Sequence, residues 1–148
     1  MKIAFSTLAC PDSSWRDITS MATDTGFDGV EVRGLGQDIF AVRAKPFTAG
    51  EIDNTIKELK RLRLEIPCFS SHCSLKFAEQ RAANKNTLTE YIELAGKTGT
   101  PYIRVDVHGV PAAHDAEVRV FQFFDYVTEI LRASDLPSVD FGDKVARL

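Results

Sequence analysis

What this sequence lacks narrows the field before anything it contains. It has no long apolar run: no stretch approaches the ~20 residues that a membrane helix requires, so nothing in it calls for a membrane. The opening segment, Met1 to Thr7, carries one charge and an apolar run broken by Ser6 and Thr7, too short and too polar for a secretory leader. Cysteine is scarce. Cys10, Cys68 and Cys73 are odd in number and follow no disulfide-dense pattern, so reduced thiols in a cytoplasm are the simplest expectation. Positive charge is not in excess either. Eighteen Lys and Arg against 21 Asp and Glu leave a net charge of −3, which gives no reason to expect nucleic acid or an anionic membrane surface as partner. Short-period repeats and low-complexity segments are also missing.

What remains is a globular balance, 44% hydrophobic and 26% charged over 148 residues, enough for one domain with a buried core. Lys2 to Thr7 is β-prone, and Asp12-Ser13-Ser14 can cap a helix that carries Trp15, Ile18, Met21 and Ala22 at helical spacing until Gly26. Gly29 to Gly34 alternates as a second strand, with Val30 and Val32 on one face and Glu31 and Arg33 on the other. After an irregular loop, Thr48 to Glu51 reads as a capping box for a helix with Ile52, Ile56, Leu59 and Leu62 on one stripe. Leu64 to Ser70 is the third strand, although Pro67 removes a ladder donor. A loop rich in ligand-type side chains, Ser70 to Ser74, leads to a helix from about Ala83 to Lys97 with Leu88, Tyr91, Ile92 and Ala95 at helical spacing. Gly99 ends it. Tyr102 to Val107 is the fourth strand, and a last helix from near Asp115 places Val120, Phe124, Val127 and Leu131 inward.

Strands alternating with amphipathic helices imply an α/β fold of four parallel βα units joined by right-handed crossovers. Residues 1–134 account for the four units, half of a (β/α)8 TIM barrel, and residues 135–148 form a tail without clear patterning. Such a sheet is expected to leave two open edges and one apolar face, which invites pairing.

Three stretches carry a family likeness. Lys2 to Asp12 resembles the opening of sugar phosphate isomerase/epimerase proteins with the xylose-isomerase-like barrel. Gly26-Phe27-Asp28-Gly29-Val30-Glu31-Val32-Arg33-Gly34-Leu35 resembles their second strand and is the most specific part, and Gly99 to Val105 resembles their fourth. The likeness covers the N-terminal half of such a barrel. It implies metal-assisted isomerisation or epimerisation of sugars and polyols at the C-terminal mouth of the strands. The divalent metal (Mn, Zn or Mg) is held in most sugar-acting members by acidic and His residues of the fifth to eighth strands. This sequence has Pro137 to Phe141 where the fifth strand should deliver a metal-binding Glu, so no residue here inherits those ligands and the chain's own catalysis stays open.

Several strand-end residues remain. The resemblance places Glu31, near Arg33, in a substrate pocket; the alternative is a structural Glu31–Arg33 pair. His72 and His108 end the third and fourth strands, where an endonuclease branch of the fold binds zinc, and Asp106 shares a side of its strand with His108. A metal site of His72, Asp106 and His108 competes with ordinary hydrogen-bonding histidines. Cysteine catalysis is not expected: Cys73 has no orienting acid, while Cys10 and Cys68 read as small buried thiols. Three assemblies stay open: a homodimer in which two copies approximate one barrel, a non-catalytic half-barrel that pairs with another chain, and a sheet that closes on itself.

Overall fold

A computed structural model describes residues 1–74 and 81–106, all within a compact unit spanning Met1–His108. Four strands and three helices follow in order: β1 (Ala4–Ser6), α1 (Trp15–Thr25), β2 (Gly29–Glu31), α2 (Ile52–Leu62), β3 (Cys68–Ser74), α3 (Arg81–Thr98) and β4 (Tyr102–Asp106). The expected last helix with Val120, Phe124, Val127 and Leu131, the residue His108 and the tail from Asp135 lie outside the described residues.

The first unit forms as its sequence dictates. Ser14 accepts a hydrogen bond from the Asp17 N–H while Asp17 reaches back to the Ser14 N–H, a complete capping box. Gly26 closes α1 at φ 76, a left-handed angle that Gly adopts without steric cost. The corresponding box expected at Thr48 and Glu51 does not form. Thr48 Oγ1 donates instead to the Lys45 carbonyl of the preceding 3-10 turn, and the Thr48 carbonyl receives the Glu51 and Ile52 N–H groups. Glu51 itself takes the cap position, with no side-chain cap bond.

Among the described residues the four strands pair in parallel. β1 runs beside β2 with Phe5 opposite Val30 and Ser6 opposite Glu31, and β3 runs beside β4 with Phe69 opposite Ile103 and Ser70 opposite Arg104. Single bridges, Gly29 to Glu65 and Val32 to Phe69, join the two pairs. The third strand is displaced from its expected place. Pro67 has no N–H to give, so β3 starts at Cys68 and continues through the segment expected to be a loop. It stays in the ladder by bulging: Ser70 pairs with Arg104 and Ser74 with Asp106, so four steps on β3 match two on β4.

Side chains sort by the two-residue period of the strands. Phe5, Val30, Val32, Phe69 and Ile103 pack toward the helices with Ile18, Leu59 and Tyr91. The ring of Phe69 lies edge-on to Phe47 at 5.5 Å and 6.0 Å from Tyr91. Ser6, Glu31, Ser70, Arg104 and Asp106 occupy the alternate positions. The sheet face away from the helices is therefore polar toward the strand C-termini, and at the other end it carries Ala4, Cys68 and Tyr102, the last 70% exposed. The thiols are also redistributed. Cys73 is the buried one, donating toward the Ser71 and Asn84 carbonyls, while Cys10 and Cys68 are half-buried.

Candidate functional site at the strand C-termini

Three strands converge on one carboxylate. Glu31 closes β2, and its Oε1 accepts a 2.7 Å hydrogen bond from Ser70 Oγ of β3 and lies 2.9 Å from Arg104 Nη1 of β4. The Glu31 side chain is 17% exposed, so its charge needs both partners. Arg104 is more than half exposed, and solvent screens the pair to about 1 kcal/mol or less. The sheltered Ser70 bond therefore does most of the orienting. A structural Glu31–Arg33 pair is not what forms.

Arg33 turns elsewhere. Its N–H donates to Thr7 Oγ1, a buried hydroxyl just after β1, and its Nε donates to His72 Nε2 at 3.2 Å. A guanidinium can only donate, so Nε2 carries no proton and the imidazole is neutral with its hydrogen on Nδ1. His72 sits at φ 55, a left-handed angle uncommon outside glycine, at the centre of the bulge. Ser71 holds that bulge: its Oγ donates to the Arg104 carbonyl and accepts the Cys73 N–H. The Phe40 ring meets His72 edge-on at 6.4 Å, and the Arg43 guanidinium lies 5.1 Å over Phe40. The loop carrying both is anchored from below, where buried Tyr91 Oη accepts the Ala41 N–H at 2.9 Å. Burial pushes the Tyr91 hydroxyl up to about 12, so it stays protonated.

Burial, and then the Arg33 charge, hold the His72 pKa below its ordinary 6.5, while Asp106 opposes them. The unfolded chain takes up a proton near 6.5 that the folded chain refuses, so this stabilisation is complete above that pH and is lost as pH falls below it. Thermal melts between pH 8 and 5 should show that decline, and His72→Asn, which tolerates the left-handed backbone, should flatten it. An unchanged slope in the variant would assign the decline to other groups.

The described residues do not fit a metal. No group of three or more His, Cys, Asp or Glu side chains is disposed to hold one among them, and the His72 Nε2 lone pair that a metal would need is engaged by Arg33. Burial raises the pKa of Cys10, Cys68 and Cys73 alike, which keeps them as thiols rather than nucleophilic thiolates. Sequence reasoning missed Ser70 and Thr7 as site residues, and left Arg104 unassigned although it alternates with Asp106 on one strand face. The hydroxyls carry no such signal. A small cavity of about 210 Å³ opens beside Arg33 and His72. A larger groove of about 840 Å³, between the start of α1 and α2, contains none of these side chains.

Comparison with solved structures places this arrangement in a known fold. A probable 3-DHS dehydratase, AsbF, from Bacillus anthracis superposes with a TM-score of 0.62 at 21% identity, over 92% of this chain and 50% of its own. A xylose isomerase domain protein from Planctomyces limnophilus matches with a TM-score of 0.61 at 14% identity, over 89% and 51%. The fold is that of the xylose-isomerase-like barrels. A sugar phosphate isomerase/epimerase from Parabacteroides distasonis agrees, with a TM-score of 0.59 at 14% identity, over 91% of this chain and 49% of its own. The chain thus spans about half the length of these matched structures. No family model and no curated protein sequence matches it.

Proposed function

We propose that this chain forms the N-terminal wall of a sugar isomerase/epimerase-type barrel site and binds a sugar or related polyol at the ends of β2, β3 and β4. The observation that carries the reading is the carboxylate of Glu31 at the C-terminal end of β2, where barrels of this kind place their chemistry, fixed there by Ser70 of β3 and Arg104 of β4. An oriented carboxylate accepts hydrogen bonds from adjacent hydroxyls, and the Arg104 guanidinium beside it donates to hydroxyl or carbonyl oxygens. Among the matched structures, one is described as a sugar phosphate isomerase/epimerase and one as a xylose isomerase domain protein. The proposal extends to a homodimer in which two polar sheet faces enclose one site. A divalent metal (Mn, Zn or Mg) on this half of a barrel would have to draw on His72, Asp106 and His108, of which His72 already has its Nε2 engaged by Arg33, and the hydrogen bonding of Glu31 to a polyol is independent of it.

Titration calorimetry with a panel of neutral polyols and ketoses tests the reading. The expected result is millimolar-range binding, weakened about tenfold by Glu31→Gln through loss of one charge-assisted hydrogen bond. Equal affinity in the variant, or no binding across the panel, removes it. Sedimentation equilibrium tests the dimer separately, and a monomer at all concentrations excludes it.

A further inference from the structure

The 210 Å³ cavity beside Arg33 and His72 has a composition that a pure polyol site does not require. Two of the large hydrophobic side chains most exposed to solvent, Leu8 at 59% and Ile39 at 63%, line it, together with Pro11. Exposing Leu and Ile in one small concavity is costly unless something apolar covers them. Arg33 lines the same cavity. Its Nε is spent on His72, which fixes the plane of the guanidinium, and no described residue hydrogen-bonds to its two terminal nitrogens. That edge is the one that grips a carboxylate with two parallel hydrogen bonds.

Taken together, the geometry points to a subsite for the carboxylate end of a small organic acid with a hydrocarbon segment: the oxygens on Arg33 and the hydrocarbon against Leu8, Pro11 and Ile39. The volume suffices, since ~150 Å³ admits a benzene ring. Asp38 also lines the cavity and is the one group there that disfavours an anion. The inference rests on the polyol reading in one respect: a substrate that fills both regions is a hydroxy acid, with its hydroxylated part at Glu31.

Amide NMR titrations of the full chain separate the parts, using benzoate, acetate, inorganic phosphate and xylitol as probes. Benzoate should shift the amides around Leu8, Arg33 and Ile39. Its affinity should fall about tenfold in Arg33→Gln, the loss of one charge-assisted contact, fall in Leu8→Ser, and rise in Asp38→Asn. Because Arg33→Gln also releases His72, Arg33→Lys serves beside it, retaining the charge without the two-pronged edge and likewise binding more weakly. Absence of benzoate shifts at these amides overturns the subsite, as does affinity unchanged in both Arg33 variants. Acetate or phosphate binding as tightly as benzoate overturns the hydrocarbon half. Xylitol reports on Glu31 alone, so its failure with benzoate bound would remove the polyol reading and leave the subsite standing.

Discussion

Phe69→Ala should lower the unfolding free energy by about 3–5 kcal/mol, the usual cost of emptying a large aromatic site. Phe69 is fully buried and its ring meets those of both Phe47 and Tyr91. It therefore ties the β2–α2 loop and α3 to the centre of the sheet. A domain of this size is stable by only about 5–15 kcal/mol in total, so the loss takes a large share of what there is. Urea unfolding gives the value directly, and Phe69→Leu should recover much of it by refilling most of the volume. A loss below about 1 kcal/mol would mean that the site collapses freely, contrary to the close packing of the three rings.

Gly29→Ala should be the second severe change, for a different reason. A Cβ at Gly29 would lie 2.6 Å from the Glu65 carbonyl oxygen and 3.2 Å from Pro67 Cδ. Neither is a flexible side-chain tip. The same carbonyl accepts the Val30 N–H at 2.9 Å, so the clash falls on a bond that joins β2 to the β3 segment. Overpacking of this kind costs about 1–3 kcal/mol, and it should also pull Glu31 away from Ser70. Gly50→Ala is the control. Nothing lies within 4 Å of its Cβ, so that variant should unfold with the wild type. If Gly29→Ala were equally silent in urea unfolding, the close approach of the two strand pairs would be wrong.

Periodicity made most of the fold legible. Ser14 and Gly26 bound α1 as their capping chemistry demands, and of the stripe Leu88, Tyr91, Ile92 and Ala95 on α3 all but the half-buried Ile92 are buried, with Leu94 beside them. The departures have local causes. Thr48 and Glu51 have the composition of a capping box, yet the preceding turn offers Thr48 a nearer acceptor in the Lys45 carbonyl. Pro67 marked a weak strand start, but composition could not show that the ladder would resume at Cys68 and run on through a bulge with His72 in a left-handed conformation. The site was legible by position and not by partner. Glu31, Arg33, His72 and Asp106 were all placed at strand ends. Which arginine serves Glu31 depends on β3–β4 register, and that register sets Ser70 opposite Arg104 and leaves Arg33 to His72.

The central claim is that Glu31 and Arg104 act as one ligand-facing unit, and a double-mutant cycle in polyol affinity tests it most directly. Glu31→Gln, Arg104→Gln and the double variant should be strongly non-additive, with the double variant binding little worse than Glu31→Gln alone. The same cycle with Arg33→Gln in place of Arg104→Gln should be additive. Additive losses in the first cycle, or coupling confined to Arg33, would contradict the account.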